Sequence, residues 1–323
     1  MPNSGGPGQL ANKDKAGKRA AKESRRLVPR PLVARPGDAP DFVCVGAHKG
    51  GTRWLYDQLQ IHPDFWMPPV KELHYLDHRR PSEASISLQR RADKNIKRTN
   101  KRRAEIALRP LDQRDVDFLA AYVGAPWWRT DLGAYASLFS PKGDLISGDV
   151  TPDYSRLSER TIARFMRRFP KTKIIFIARD PVERAWSHLT MRMGRGQVER
   201  GIDADAVMRL VKTRLVATRS YPSEIVARWR RHVPPEQFGL YLFDDLAAEP
   251  DDLRRRILTF LGADPAKDSG VIPAAFNRKE DGNKAALSSE IRDRLARHFA
   301  DELRACGEAL GGAATGWAAK YGF

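Results

Sequence analysis

Cysteine is nearly absent from this chain of 323 residues, which holds Cys44 and Cys306 alone. Two cysteines far apart, the first inside an apolar run, exclude a disulfide framework and point to a reducing compartment. No metal-ligand cluster is visible in the sequence, so no metal is expected. Long hydrophobic runs are missing too. No segment approaches the roughly 20 apolar residues of a membrane span, and the Lys- and Arg-bearing amino terminus is not followed by the apolar stretch of a secretory signal. A cytoplasmic protein is expected. Acidic residues are the third shortage: 40 Asp and Glu stand against 57 Lys and Arg, a formal net charge of +17.

The basicity is local. Residues 1–36 carry nine Lys or Arg against Asp14 and Glu23, a surplus of 7, and residues 79–109 carry eleven against Glu83, Asp93 and Glu105, a surplus of 8. The rest is nearly neutral, and its hydrophobic content suits one large α/β core or two modest ones. The expected organisation is a flexible basic tail over 1–38 and a single catalytic domain over 39–323, with a basic helical insertion at 79–109. The tail has too few large apolar residues to offset the entropy of ordering, although Asn12–Arg26 permits a short helix. It reads equally as a solubility tail and as a contact for an acidic surface such as anionic lipid, polysaccharide or nucleic acid. The insertion is a surface helix or a mobile segment whose basic side chains could line a groove for a polyanion.

What is present is organised around Phe42–Leu59, FVCVGAHKGGTRWLYDQL. An apolar run ends at Gly46, and apolar residues return at helical spacing as Trp54, Leu55 and Leu59, which spells strand, tight loop and helix. Such a turn aims backbone N–H groups and the positive end of the helix dipole at one point, with Lys49 beside them, and this favours an anion. In the nucleoside-triphosphate loop lysine follows the last glycine; here Lys49 precedes Gly50, Gly51 and Thr52.

Further along, Lys71–Asp77 alternates ionisable and apolar side chains, with Glu72 and His74 among them, as a loop or strand end facing a site would; an ordinary amphipathic edge reads the same way. Trp127 and Trp128 suit either stacking on sugar rings or core packing. Asp144–Tyr154 reads as a second buried strand and a proline turn, followed by a helix over Leu157–Phe169. Lys173–Ala178 is a continuous apolar run, as in a central strand covered on both faces, and ends in Arg179-Asp180-Pro181 before helix resumes. In an open parallel sheet ligands bind at the carboxyl ends of the strands, where Arg179 emerges and near which Ser187 lies two turns into the helix. Arg179 offers planar recognition of a phosphate and Ser187 a hydroxyl donor.

These two junctions together resemble the sulfotransferases that use 3′-phosphoadenosine 5′-phosphosulfate (PAPS), in the bacterial, heparan-sulfotransferase-like branch. The family's G-x-x-K-x-G-T loop corresponds to Gly46–Thr52, and its R-[DN]-P-x-x-R-x-x-S motif to Arg179, Asp180, Pro181, Arg184 and Ser187. The likeness continues in the KELHYLD and GDVTPDY segments and in Gly239–Gly262, and spans roughly residues 40–300. It departs at Asp149 and Val150, where related proteins often carry Glu and Lys.

The resemblance implies an α/β fold, a central parallel sheet flanked by helices, of the P-loop nucleotide-kinase-like kind. It implies that Lys49, Gly50, Gly51, Thr52, Arg53 and Trp54 hold the 5′-phosphosulfate, that Arg179 and Ser187 grip the 3′-phosphate, and that Lys279 and Lys284 of the loop Asn277–Lys284 offer further phosphate contacts. Lys49 would stabilise the leaving group, and Glu72, with His74 as runner-up, would take the acceptor's proton. No metal is needed. The implied acceptor is a hydroxyl or amine of a glycan or glycosylated small molecule. Two other readings remain: an ATP- and Mg²⁺-dependent phosphotransferase, for which the GK[ST] ending is missing, and a non-catalytic binder of polyanions such as nucleic acid. Specific nucleic-acid recognition is not expected.

Overall fold

The computed structural model describes residues 27–33, 35, 37–267, 272–276 and 286–323. The helix expected over Asn12–Arg26 and the loop Asn277–Lys284, with Lys279 and Lys284, lie outside the described residues.

Four short strands form the sheet: β1 (Phe42–Gly46), β2 (Gly148–Val150), β3 (Lys173–Ala178) and β4 (Phe238–Leu242), in the order β2-β1-β3-β4 with every pair parallel. The near-continuous apolar sequences of β1, β3 and β4 follow from burial on both faces, whereas β2 buries Asp149 at its centre. Alternation along the strands sorts the side chains into two cores. Val43, Val45, Ile174 and Phe176 pack on one face, Phe42, Cys44, Ile175 and Ile177 on the other. From β1 the chain goes to β2 on one side and returns to β3 on the other. That reversal opens a crevice at the carboxyl ends of β1 and β3. There the register between the two strands shifts between Cys44 and Gly46.

From β1 the chain turns at once into α1 (Thr52–Ile61). The long connection to β2 carries α2 (Glu83–Lys94), α3 (Ile96–Ala104), α4 (Gln113–Val123) and α5 (Leu132–Ser137). Between β2 and β3 lies α6 (Glu159–Arg168), and between β3 and β4 lie α7 (Pro181–Gly194), α8 (Ala204–Val211), α9 (Arg214–Ala217) and α10 (Pro222–Arg230). After β4 come α11 (Phe243–Ala248), α12 (Pro250–Leu261), α13 (Ser289–His298) and α14 (Ala300–Leu310). None of the described helices is long and apolar enough to cross a membrane.

The basic segment 79–109 forms α2 and α3, started by the side-chain caps of Ser82 and Asn95. Ala92 and Ile96 bury their side chains beneath it, while Arg103 and Arg109 tie its end down. Arg109 grips the fully buried Asp115 of α4 through two nitrogens at 2.5 and 2.7 Å, and Arg103 Nε donates to the Arg109 carbonyl at 2.8 Å. Seven further Lys and Arg of these two helices remain at the surface. In the preceding segment Arg30 donates to Asp117 of α4 from its backbone N at 2.8 Å and from its guanidinium at 2.7 Å.

Candidate active site

A cleft of about 1110 Å³ opens at the carboxyl ends of β1 and β3. It is lined by Lys49, Gly51, Thr52, Arg53 and Trp54 from the first junction, Glu72 and His74 from the segment before the insertion, and Arg179 and Ser187 from the second junction. Helix α2 supplies one wall through Ser85 and Leu88.

The first junction is built by steric necessity. A Cβ on Gly50 would lie 2.6 Å from the Ile177 carbonyl oxygen, so only glycine lets the loop pass this close to β3. Gly51 adopts φ 90° at the cap of α1, the left-handed region where glycine has no Cβ penalty. The first helical bond runs from Leu55 N to Gly51 O at 3.1 Å. The amides of Thr52, Arg53 and Trp54 thus precede any intrahelical acceptor, and no acidic residue stands in the first turn. Gly50 departs from its expected place among the amides facing an anion. Its N–H donates to Ala47 O at 2.9 Å, so its part is close packing rather than donation.

Across the switch point, Arg179 Nη1 donates to the Lys49 carbonyl at 2.9 Å. The two junctions, 130 residues apart in sequence, are therefore in direct contact. Arg179 stacks its guanidinium 4.2 Å over the Phe243 ring, and its Nε is buried with no hydrogen-bond partner among the described residues. Ser187 lies on α7, the helix that follows Arg179, and is buried at the cleft wall. Arg184, the motif's other arginine, is fully buried instead and donates to Ser220 Oγ at 2.5 Å, which makes it a brace for α7. On the opposite rim Trp54 Nε1 donates to Ala274 O at 2.6 Å, anchoring residues 272–276 against α1.

Glu72 and His74 stand in one charged row. The Glu72 carboxylate accepts from Lys71 Nζ at 2.6 Å and lies 3.5 Å from His74 Nε2, while His74 Nδ1 is 3.0 Å from Asp77. Burial pushes the Glu72 carboxyl up, but Lys71 and His74 outweigh it and hold it well below the usual carboxylate range. For His74 burial works downward, yet Asp77 and Glu72 raise its pKa to about 9. At neutral pH the free cleft thus presents an ionised Glu72, with 38% of its side chain exposed, and a protonated His74. Lys49, Glu72 and His74 have φ 71°, 68° and 56°. Three non-glycine residues in the left-handed region, at roughly 1–2 kcal/mol each, mark where the surrounding structure overrides local preference.

Sequence reasoning gave Lys71 no role beyond a salt bridge to Glu72, and its side chain, 4% exposed, forms that pair beneath the carboxylate. Nor did it find the histidine pair of His48 and His188, which flank Lys49 and Ser187 in sequence and meet across the cleft with ring centroids 4.7 Å apart. Burial, with Arg219 and Arg184, lowers the pKa of His48 to about 3; burial, with His48 and Arg184, lowers that of His188 to about 2. Both rings stay neutral. Their adjacency to motif residues was the available signal. Asp153 also lines the cleft, held by Arg219 at 2.6 Å and Arg79 at 2.7 Å. His74, Asp77 and Asp153 bring ligand atoms within 4.8 Å of one another, but these two guanidinium groups supply the positive charge there. Of the two adjacent tryptophans, Trp127 packs on Tyr75 and Tyr122 in the core whereas Trp128 is 80% exposed. Neither lines the cleft. Asp149 is buried and satisfied by Tyr135 at 3.0 Å and Thr151 at 2.6 Å.

A parallel sheet with a glycine-built loop and a second basic junction at its switch point defines an open α/β protein with a crevice lined by basic side chains. The sequence model described as the sulfotransferase family matches residues 40–268, and the chain belongs to that family. Solved structures with the same fold include a sulfotransferase from Alicyclobacillus acidocaldarius, at TM-score 0.57 and 21% identity, covering 88% of this chain and 99% of that one. The sulfotransferase domain of the Synechococcus PCC 7002 olefin synthase is similar at TM-score 0.45 and 18% identity over 84% of this chain and 98% of that one. A mouse sulfotransferase solved as a complex with PAP gives TM-score 0.48 and 16% identity over 88% and 90%. None of the curated proteins matches the sequence. Sulfuryl transfer is therefore the general reaction.

Proposed function

We propose that the protein transfers the sulfuryl group of PAPS to a hydroxyl or amine of a carbohydrate or glycosylated acceptor in the cytoplasm, releasing adenosine 3′,5′-bisphosphate (PAP). The observation that carries this reading is the 2.9 Å bond between Arg179 and the Lys49 carbonyl, because the two junctions touch, as a single doubly phosphorylated nucleotide bound by both would require. The amides of residues 52–54 and Lys49 receive the 5′-phosphosulfate, and Arg179 and Ser187 receive the 3′-phosphate. Arg179 Nε, buried without a partner among the described residues, suits an oxyanion there.

The acceptor oxygen or nitrogen attacks sulfur as the bond from sulfur to the 5′-phosphate oxygen breaks. Lys49 stabilises the charge growing on that leaving oxygen, and the acceptor's proton goes to Glu72. His74, already protonated in the free cleft, orients the Glu72 carboxylate rather than taking the proton. The depressed pKa makes Glu72 a weak base before substrate binds. Negative charge on the arriving nucleotide shifts it upward, toward useful basicity. The carbohydrate preference rests on the likeness of Lys71–His74 to the heparan-type segment.

The test is transfer of radiolabelled sulfate from PAPS to a panel of saccharide acceptors, with Lys49→Ala as control. Turnover by the parent that Lys49→Ala leaves unchanged removes the role of the loop. Thermal stabilisation by PAP but not by ATP with Mg²⁺ separates this function from phosphoryl transfer. The reverse pattern overturns it.

A further inference from the structure

The last residues of the chain return to the second junction. Two short turns, Gly312–Gly316 and Ala319–Tyr321, follow α14 and lie outside the part of the sequence that matches the family. Trp317, 2% exposed, anchors them and donates from Nε1 to Asp244 Oδ1 at 3.2 Å. Tyr321 Oη donates to Asp180 Oδ2 at 2.7 Å, and Lys320 Nζ reaches the same oxygen at 3.1 Å and Glu183 Oε1 at 3.4 Å.

These partners surround Arg179. Asp180 follows it in sequence and caps α7 through the amides of Val182 and Glu183. Glu183 sits one helical turn on, its Oε2 3.8 Å from Arg179 Nη2, and Asp244 adds a third carboxylate near the guanidinium. An anion approaching Arg179 meets three negative charges as well as one positive one. Each of the three is hydrogen-bonded or paired by the segment 317–321, and Lys320 spans two of them. Without its ammonium, Asp180 keeps only the Tyr321 hydroxyl and its two capping amides, and Glu183 only the longer contact to Arg179, so both repel the incoming anion more strongly. Glu183 can then also close the 3.8 Å gap and occupy the guanidinium face that the anion needs.

We infer that Trp317, Lys320 and Tyr321 form a strap that positions Arg179 for a nucleotide 3′-phosphate, with Lys320 and Tyr321 as positioning residues that hold Asp180 and Glu183 out of competition. The strap touches carboxylates rather than substrate, and its role rests on the reading of Arg179 as the 3′-phosphate ligand. It would act on one end of the nucleotide only, which distinguishes it from general stabilisation.

The experiment is calorimetric titration of the full chain with PAP and, separately, with adenosine 5′-monophosphate, which lacks the 3′-phosphate. Lys320→Met should weaken PAP about five- to tenfold while leaving the monophosphate unchanged, as expected for one half-exposed charge acting on a nearby anion. Lys320→Arg should restore PAP binding, and Tyr321→Phe should shift it in the same direction by a smaller factor. An unchanged PAP-to-monophosphate ratio in Lys320→Met overturns the inference. So does an equal loss for both nucleotides, which marks a purely structural role that thermal melts of the same variants would register. If instead the unaltered protein fails to prefer PAP over the monophosphate, the reading of Arg179 itself fails, and that outcome is separate from a failure of the strap.

Discussion

Adding one methyl group at Gly50 tests whether the first loop must lie where the structure puts it. The Cβ of Gly50→Ala would stand 2.6 Å from Ile177 O, 3.1 Å from Ala47 O and 3.2 Å from Ala47 Cβ. All three are parts of fixed backbone or of a β-carbon, and Ile177 is a paired residue of β3, so no flexible side chain can swing aside. Ordinary contact begins near 3.4 Å; moving from 2.6 Å to that distance means a retreat of 0.8 Å by the loop. The retreat strains two 2.9 Å bonds, Gly50 N to Ala47 O and Ala47 N to Ile177 O. Overpacking of this kind costs about 1–3 kcal/mol. For a domain of this size that is a fall in Tm of roughly 2–5 °C. Lys49 and the amides of residues 52–54 move with the loop, and a displacement near 1 Å at a reacting centre costs up to about 10²-fold. The expected outcome is kcat/KM for PAPS reduced about 10- to 100-fold in a protein that remains folded at 25 °C. Melting curves and initial rates on the same preparation decide it. A Tm lowered as expected with kcat/KM within about twofold of the parent would show that the loop does not cradle the reacting group, and an unchanged Tm would refute the packing argument.

Three further outcomes follow from the site. Arg179→Lys keeps the charge but loses the planar fork and the stacking on Phe243, so PAP affinity measured by calorimetry should fall about 10²-fold, a loss of 2–3 kcal/mol, whereas a fall below about threefold removes Arg179 as the phosphate ligand. Glu72→Gln preserves shape and removes the proton acceptor; single-turnover transfer should slow by about 10²–10⁴-fold with PAP affinity little changed, and a rate near that of the parent would reassign the base. His74 has a folded pKa raised to about 9, so the stability it adds is fully present below its unfolded pKa near 6.5 and is lost as pH rises through 9. The stability deficit of His74→Gln, at most about 3 kcal/mol in denaturant titrations, should therefore be largest below pH 6.5 and vanish above pH 9, and a deficit that grows with pH would contradict the ion pairs to Glu72 and Asp77.

Strands β1 and β3 and both junctions were legible because buried parallel strands must be continuously apolar, as in Phe42–Val45 and Ile174–Ala178, and because the turns that follow require glycine or proline at fixed positions. The family resemblance was carried by those same residues. The charges were legible only as types. Asp153 reads in sequence as a turn residue, yet it gathers Arg79 and Arg219 from segments far apart in the chain.

What the sequence by itself determined is local: which segments become strand or helix, where Lys49 and Arg179 leave their strands, and that the basic charge is confined to two segments. Only the tertiary structure decided that Gly50 spends its amide on Ala47, that Glu72 ends ionised and His74 protonated, and that the end of the chain folds back on Asp180. Backbone periodicity and glycine geometry act over a few residues and leave a mark in the sequence, whereas ionisation and hydrogen-bond partnership depend on which distant groups share a low-dielectric cleft, and sequence spacing does not record that.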